Sequence, residues 1–337
     1  MATMKDVAKA TGFSTATISR VFSGKDTVTP ATRKKIFKTA EKLGYQPNKM
    51  AAALRSGKSR TIGVIVPNID SEVFASAIKS MEQLLQSQGY YVVICQSHES
   101  FEEEKKIIDN LRNLQVDGVI VSISKNTTNL DHLNQLKASG VGVVLFDRSF
   151  ELDEINSVII NNFHGAYQAT QHLVDVGCTN ILHLRGRESV GIFHERQRGY
   201  QEALQRNNLP LKPENLILID ESNRTGEDEL RQRLLAVDPP DGIFAHGDIA
   251  ALIALGVINE LGLRVPGQIA LAGFGNSSFC AFLSPGLTSV DQRDEDVGKL
   301  AAKVLLNEIA PSEAAEGICA QQMLTPSLVI RGSTLRQ

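Results

Sequence analysis

The sequence predicts a small α-helical helix-turn-helix head joined to a two-lobed α/β core built on two doubly wound parallel sheets. Three observations carry this prediction. Residues 1–60 hold 13 Lys and Arg against 3 Asp and Glu, whereas residues 61–337 hold 22 against 35, so a head of +10 is attached to a body of −13. The same 60 residues show three short helical patterns and almost no strand signal. From Thr61 onward, short apolar strands alternate with amphipathic helices, and the alternation runs through two successive sets. A length of 337 residues suits two or three compact units.

The head is read helix by helix. In residues 4–11, Val7, Ala8 and Ala10 form a small apolar face, and Gly12 breaks the helix. Ser14 is a natural N-cap for a second helix, because its hydroxyl can accept a free N–H of the first turn. Ile18, Val21 and Phe22 supply the inward face, leaving Thr15, Ala16, Thr17, Ser19 and Arg20 outward. A third helix follows Thr29, which can cap, and Pro30, which suits a first turn; it carries Ile36, Ala40 and Leu43 inward and ends at Gly44. Two short helices across a tight glycine turn form a helix-turn-helix, whose second helix presents its N-terminal residues to base edges in the major groove. Small residues at Thr15 and Thr17 permit close approach, and Arg20 can bond guanine O6 and N7 together. Thr29, Thr32, Arg33 and Lys34 lie at a helix start, where hydroxyls, N–H groups and cations suit phosphates.

In the core, strands are expected near 62–66, 91–95, 118–121 and 143–146, with helices over 74–87, 101–114 and 130–138. The second set places strands near 181–184, 216–219, 242–245 and 269–272, with helices over 167–176, 196–206, 227–235 and 250–261. Such alternation implies parallel sheets with helices on both faces, and two sets imply two lobes with a ligand site where strand C-termini face the cleft. Residues 1–46 are assigned to the head, 47–60 to a hinge helix and linker, and 61–337 to the core. Within it, the first lobe takes about 61–160 plus about 291–322, and the second about 161–290 plus about 323–337.

Several function classes are disfavoured. No apolar run reaches the ~20 residues that span a bilayer, and no export signal precedes Thr15, so a cytoplasmic protein without membrane contact is expected. Cys95, Cys178, Cys280 and Cys319 are scattered, as buried reduced thiols would be. The histidines show no zinc spacing, and no nucleophile-elbow or phosphate-loop motif occurs. Gly273 and Gly275 lack the third glycine of a dinucleotide fingerprint, Ser278 standing in its place. No catalytic residue, metal or cofactor is expected. A solute-binding protein would share the core but be exported and lack the head; an enzyme would not need the basic head.

The run MKDVAKATGFSTATISRVFSGKDTVTPATRKKIFKTAEKLGYQPNKMAAALRSGKSRTIGVIVP resembles the opening of the lactose-repressor (LacI/GalR) family, and VDGVIV, VLFDR, GYQEAL, IFAHGDIAALIAL, VPGQIALAGFGN, SPGLTSVDQ and PSLVIRGST resemble its later signatures in order. The resemblance implies a transcription regulator, a repressor by type, that binds a pseudo-palindromic double-stranded operator as a homodimer under control of a small-molecule effector. It further implies a periplasmic-binding-protein-like core whose chain crosses between the lobes three times. Thr15, Ala16 and Arg20 match the positions that read operator bases, and Asn48, Ala51 and Leu54 lie in a segment resembling the hinge helix. Leu54 matches the leucine wedged into a central minor-groove step, with plain helix core as its alternative.

The same resemblance places effector contacts at Phe74, Asp147, Arg148, Arg196 and Asp248, the alternative for each being a strand-end cap or a salt bridge between lobes. Three departures stand out. Ala52 replaces a frequent arginine, Gly247 replaces the usual asparagine before Asp248, and Gly275–Asn276 replaces the Asp-Asp or Asp-Asn pair of many sugar-responsive members, whose carboxylate grips sugar hydroxyls. Asn276 is left as a neutral donor and acceptor, so a standard monosaccharide is not implied.

Overall fold

The computed structural model describes residues 2–22, 28–45, 59–150, 155–186, 191–220, 224–310 and 321–336. The chain divides into two compact units, Met1–Arg60 and Thr61–Gln337. The residues expected in a hinge, Asn48, Ala51 and Leu54, and Cys319 lie outside the described residues.

The first unit contains α1 (Met4–Thr11), α2 (Thr15–Phe22) and α3 (Pro30–Lys42). Each begins on a hydroxyl cap. Thr3 and Asp6 form a reciprocal capping box on α1, Ser14 Oγ accepts from the Thr17 N–H at 3.1 Å, and Thr29 Oγ1 accepts from the Thr32 N–H at 3.3 Å. Gly12 ends α1 with φ 76°, a left-handed conformation that a side chain would strain. Val7, Ile18, Val21, Ile36 and Ala40 make the buried centre, with Phe22 packed edge-on to Phe37 at 5.2 Å and Tyr45 at 5.4 Å. Two expected core positions differ. Ala10 is exposed, and Thr11 takes the buried place because its hydroxyl donates to Val7 O at 2.7 Å. Leu43 is exposed beyond the last turn of α3, and Tyr45 packs against the centre instead.

The second unit carries two six-stranded sheets. The first lobe runs β1 (Thr61–Val66), α4 (Glu72–Ser87), β2 (Tyr91–Gln96), α5 (Phe101–Asn113), β3 (Gly118–Val121), α6 (Asp131–Ala138), β4 (Gly142–Phe146) and β5 (Asn156–Ile160). The chain then crosses to α7 (Asn162–Asp175), β6 (Ile181–Arg185), α8 (Gly191–Arg206), β7 (Leu216–Leu218), α9 (Glu227–Leu234), β8 (Gly242–Ala245), α10 (Asp248–Glu260), β9 (Ala270–Gly275) and β10 (Thr288–Asp291). A second crossing returns it to the first lobe through α11 (Asp294–Ile309) and β11 (Gln321–Leu324), and a third brings β12 (Ser327–Val329) to the second sheet. The strand orders are β2-β1-β3-β4-β5-β11 and β7-β6-β8-β9-β10-β12, the same winding twice. All pairings are parallel except β10 with β12.

Burial explains the sequence pattern. The inner strands β1, β3, β4 and β8 are covered on both faces and read as near-continuous apolar runs, whereas edge strand β2 alternates only weakly. One helix pair in each lobe approaches closely at a glycine. A Cβ at Gly298 of α11 would overlap Ser80 Oγ and Ala77 O of α4, and a Cβ at Gly199 of α8 would overlap Phe163 O of α7. The sequence reading assigned no strand at β5, β10, β11 or β12 and no helix at α11. The strands are 3 to 5 residues long, and β11 is mostly exposed, which removes the period-2 signal. No helix among the described residues is long and apolar enough to cross a membrane.

Candidate functional site

In the head, the caps and the buried stripe fix how α2 is presented. Ile18 and Val21 hold its inner side, leaving Thr15, Ala16 and Arg20 exposed and Ser19 half-buried. Thr17 is half-buried and turned back into the cap, its Oγ1 lying 2.9 Å from Ser14 Oγ. At the start of α3, Thr29 and Thr32 share a hydroxyl contact of 3.0 Å, and the Arg33 guanidinium lies 6.0 Å from the Phe37 ring centre. These residues supply hydroxyls and a cation, groups that can donate to phosphates and base edges.

In the core, the three crossings bring residues of both lobes to one cleft. Phe74, on the first turn of α4, is 6% exposed and packs edge-on to Phe146 at 6.0 Å. Asp147 follows β4 at φ 64°, a left-handed backbone that turns its largely buried carboxylate towards Ser122 Oγ at 3.3 Å. Burial pushes the Asp147 carboxyl above its usual range, opposed by Arg148 and Arg196.

Arg196 is the centre of the second-lobe wall. It is 4% exposed, yet hydrogen-bonded on every side: Nε donates to Asn162 Oδ1 at 2.8 Å, Nη1 to His246 O, and Nη2 to Gln292 Oε1 at 3.2 Å. Its guanidinium carbon lies 3.7 Å from the Phe274 ring centre, a cation–π contact in a dry setting. His246 packs edge-on to Phe193 at 4.7 Å, and burial with the Arg196 charge lowers its pKa to about 3, so the imidazole is neutral.

Three expected ligand residues have most of their polar atoms committed to the protein, although Arg148 Nε makes no hydrogen bond and lies 3.8 Å from Asp147 Oδ2. Both Arg148 Nη atoms reach Glu99 carboxylate oxygens at 2.8 Å, and Nη1 also donates to Ile123 O. Burial works against both charges, but the pair holds Glu99 below and Arg148 above their usual values. Asp248, 3% exposed, accepts from the Ser277 N–H at 2.7 Å and Ser289 Oγ at 2.5 Å. A Cβ at Gly273 would overlap Asp248 Oδ1, so this glycine serves the Asp248 anchor rather than a dinucleotide turn. Asn276, at φ 52°, accepts from Arg331 Nη2 through Oδ1 at 2.7 Å and donates from Nδ2 to Asp291 Oδ2 at 3.2 Å. These contacts support the cleft walls.

The sequence reading missed Asn162, Gln292 and a set of carboxylates, Glu72, Asp291 and Asp294. Glu72 of the first lobe spans the cleft, both carboxylate oxygens lying 3.0 Å from the Ser278 N–H of the second. Asp294 begins α11 directly after a crossing. Burial, followed by repulsion from Asp147 and Asp291, raises its pKa to about 8. The available signal was the dense run DQRDED at 291–296, where acid follows a strand end.

Comparison with known proteins agrees with both halves of this geometry. A model of bacterial regulatory proteins of the lacI family matches residues 3–48, and one of periplasmic binding protein-like domains matches residues 170–334. The transcriptional repressor CytR of Escherichia coli is 32% identical over 333 residues, covering 99% of this chain and 96% of its own. The repressor PurR of Aliivibrio fischeri is 32% identical over 340 residues, covering 100% and 99%. The lac repressor dimer bound to operator and an anti-inducer superposes with a TM-score of 0.86 at 26% identity, covering 99% of each chain. The regulator CelR in complex with cellobiose gives 0.72 at 28% identity, covering 99% of this chain and 100% of that one. These relatives are regulators rather than enzymes. With a matching head, a matching core and near-complete coverage by repressors, the chain belongs to the LacI family of bacterial regulatory proteins, DNA-binding dimers controlled by small-molecule effectors.

Proposed function

We propose that this repressor acts in the cytoplasm, reading a pseudo-palindromic operator through Thr15, Ala16, Thr17, Ser19 and Arg20 of α2, one head per half-site. The observation that carries this reading is the division of α2 into a buried Ile18–Val21 side and an open side ending in Arg20. Thr29, Thr32 and Arg33 set the register on phosphates, and Asn48, Ala51 and Leu54, within a linker over 47–60, engage the minor groove at the operator centre. Ile249 and Leu252, 44% and 39% exposed on α10, and Phe282, 87% exposed after β9, supply apolar surface for pairing two cores.

The effector binds in the lobe cleft against Phe74, Asp147 and Arg196, while Arg148, Asp248 and Asn276 brace the walls. Binding shifts the angle between the lobes, and this changes operator affinity through the effector's different affinity for the two arrangements. The test is selection of bound duplexes from a random pool with the full-length protein. Enrichment of a two-fold symmetric site supports the reading. Enrichment of an asymmetric site, or of none with or without added sugars and metabolites, overturns it.

A further inference from the structure

Resting on the reading of α2 as the helix that faces the bases, we propose that Ala16 selects a pyrimidine bearing a C5-methyl group. In an unmodified operator this base is thymine, met methyl to methyl in the major groove. A helix turns about 100° per residue, which sets Ala16 about 160° from Ile18 and about 140° from Val21 around the axis of α2. Those two side chains are fully buried in the head. Thr15 stands only about 60° from Ile18, and Arg20 about 100° from Val21, so both lie on the flanks of the outward face. Ala16 therefore points most directly away from the buried centre, and it is exposed. Its side chain offers the groove floor one methyl group and no polar atom.

The chemistry around that point is narrow. α2 carries no Asn, Gln, Asp or Glu. The bidentate amide that marks adenine and the carboxylate that takes the cytosine amine are thus both missing from it. Arg20, one turn on, suits guanine, and the hydroxyls of Thr15 and Ser19 can serve any base. Ala16 adds choice by exclusion. An adenine or cytosine amine, or a guanine O6, pressed against a methyl loses its water and gains no partner. A thymine methyl at the same place sheds unfavourable hydration and gains dispersion contact instead. Burial of one methyl changes binding about fourfold, and a two-fold operator presents it twice, for about 15-fold in all.

The test starts from the symmetric site selected by the full-length protein. Each thymine is replaced in turn, in both half-sites together, by deoxyuridine, which removes only the C5-methyl, and affinity is measured by fluorescence anisotropy at one salt concentration. The expected result is a thymine whose replacement weakens binding about 15-fold, and at which 5-methylcytosine binds about 15-fold tighter than cytosine. In Ala16→Gly, which removes only the partner methyl, the deoxyuridine effect is expected to fall below about twofold. The proposal is overturned if no thymine shows an effect above about twofold. It is overturned equally by an effect that persists undiminished in Ala16→Gly, because the methyl then acts through duplex shape or another residue. Glycine can weaken a helix, so Ala16→Ser is the second variant, with the same loss expected. Should neither variant bind, the deoxyuridine and 5-methylcytosine series on the unmodified protein decides. A symmetric site without methyl dependence removes this proposal and leaves the reading of α2 intact; enrichment of no symmetric site removes both.

Discussion

Arg20 lies one helical turn beyond Ala16 on the exposed side of α2, the position from which a long side chain reaches the floor of a groove. Its replacement by alanine is expected to relax preference at one base pair per half-site and to weaken specific binding by about 1–3 kcal/mol. Selection with the variant checks this; an unchanged base preference removes Arg20 from the reading set. Residues of this kind were legible because the helix period and the Ser14 and Thr29 caps sort outward from inward positions without any long-range knowledge. Arg148 and Asp248 were less legible. Each is a charged residue at a strand or helix end, and only the fold reveals that Glu99 holds one and Ser277 with Ser289 holds the other. Asp294 was missed altogether, because its raised pKa comes from burial and from the charge of Asp147, 147 residues earlier in the chain, neither of which the local sequence reveals.

At the scale of elements, the closest packing in each lobe is a helix pair meeting at a glycine. Gly298→Ala places a methyl against the Ala77 carbonyl and Ser80 hydroxyl of α4, and backbone cannot move aside as a flexible side chain can. A loss of about 1–3 kcal/mol is expected, seen as a lower urea midpoint with unchanged slope. An unaltered midpoint would show that α11 shifts at no cost. The sequence located most strands of both sheets to within a residue or two, since covered parallel strands write themselves as apolar runs. It gave α7 a late start at 167, whereas Asn161 caps the helix through the His164 N–H at 2.9 Å and begins it at Asn162. Asparagine signals caps and turns alike, so sequence did not choose between them. The edge strands β11 and β12 pair through backbone, which leaves little trace in side-chain type.

For the whole molecule, two neutral histidines set the response to acid. His183, fully buried between the rings of Tyr200 and Phe244, has its pKa lowered to about 4 by burial, and His246 to about 3. Both fall below the unfolded value of 6.5, so the unfolded chain binds more protons between these limits. Their stabilising contribution is therefore complete above pH 6.5 and is lost as pH falls from there towards 4 and 3, roughly 3 kcal/mol or more for each. Thermal unfolding measured from pH 7.5 to 4.5 is expected to show a steady fall in stability, reduced in His183→Phe. Equal slopes for the two proteins would assign the acid response to other groups.

The threefold connection between the lobes carries a mechanical consequence. Two bodies joined by one strap can twist, slide and splay, but three straps, after Ile160, Asp291 and Leu324, leave from neighbouring strands and resist twisting and sliding together. Opening at the cleft is the motion that such a connection resists least. Whatever the chemistry of the molecule in the cleft, its message passes through the same three straps, and the ligand can be exchanged by altering cleft residues without redesigning the output.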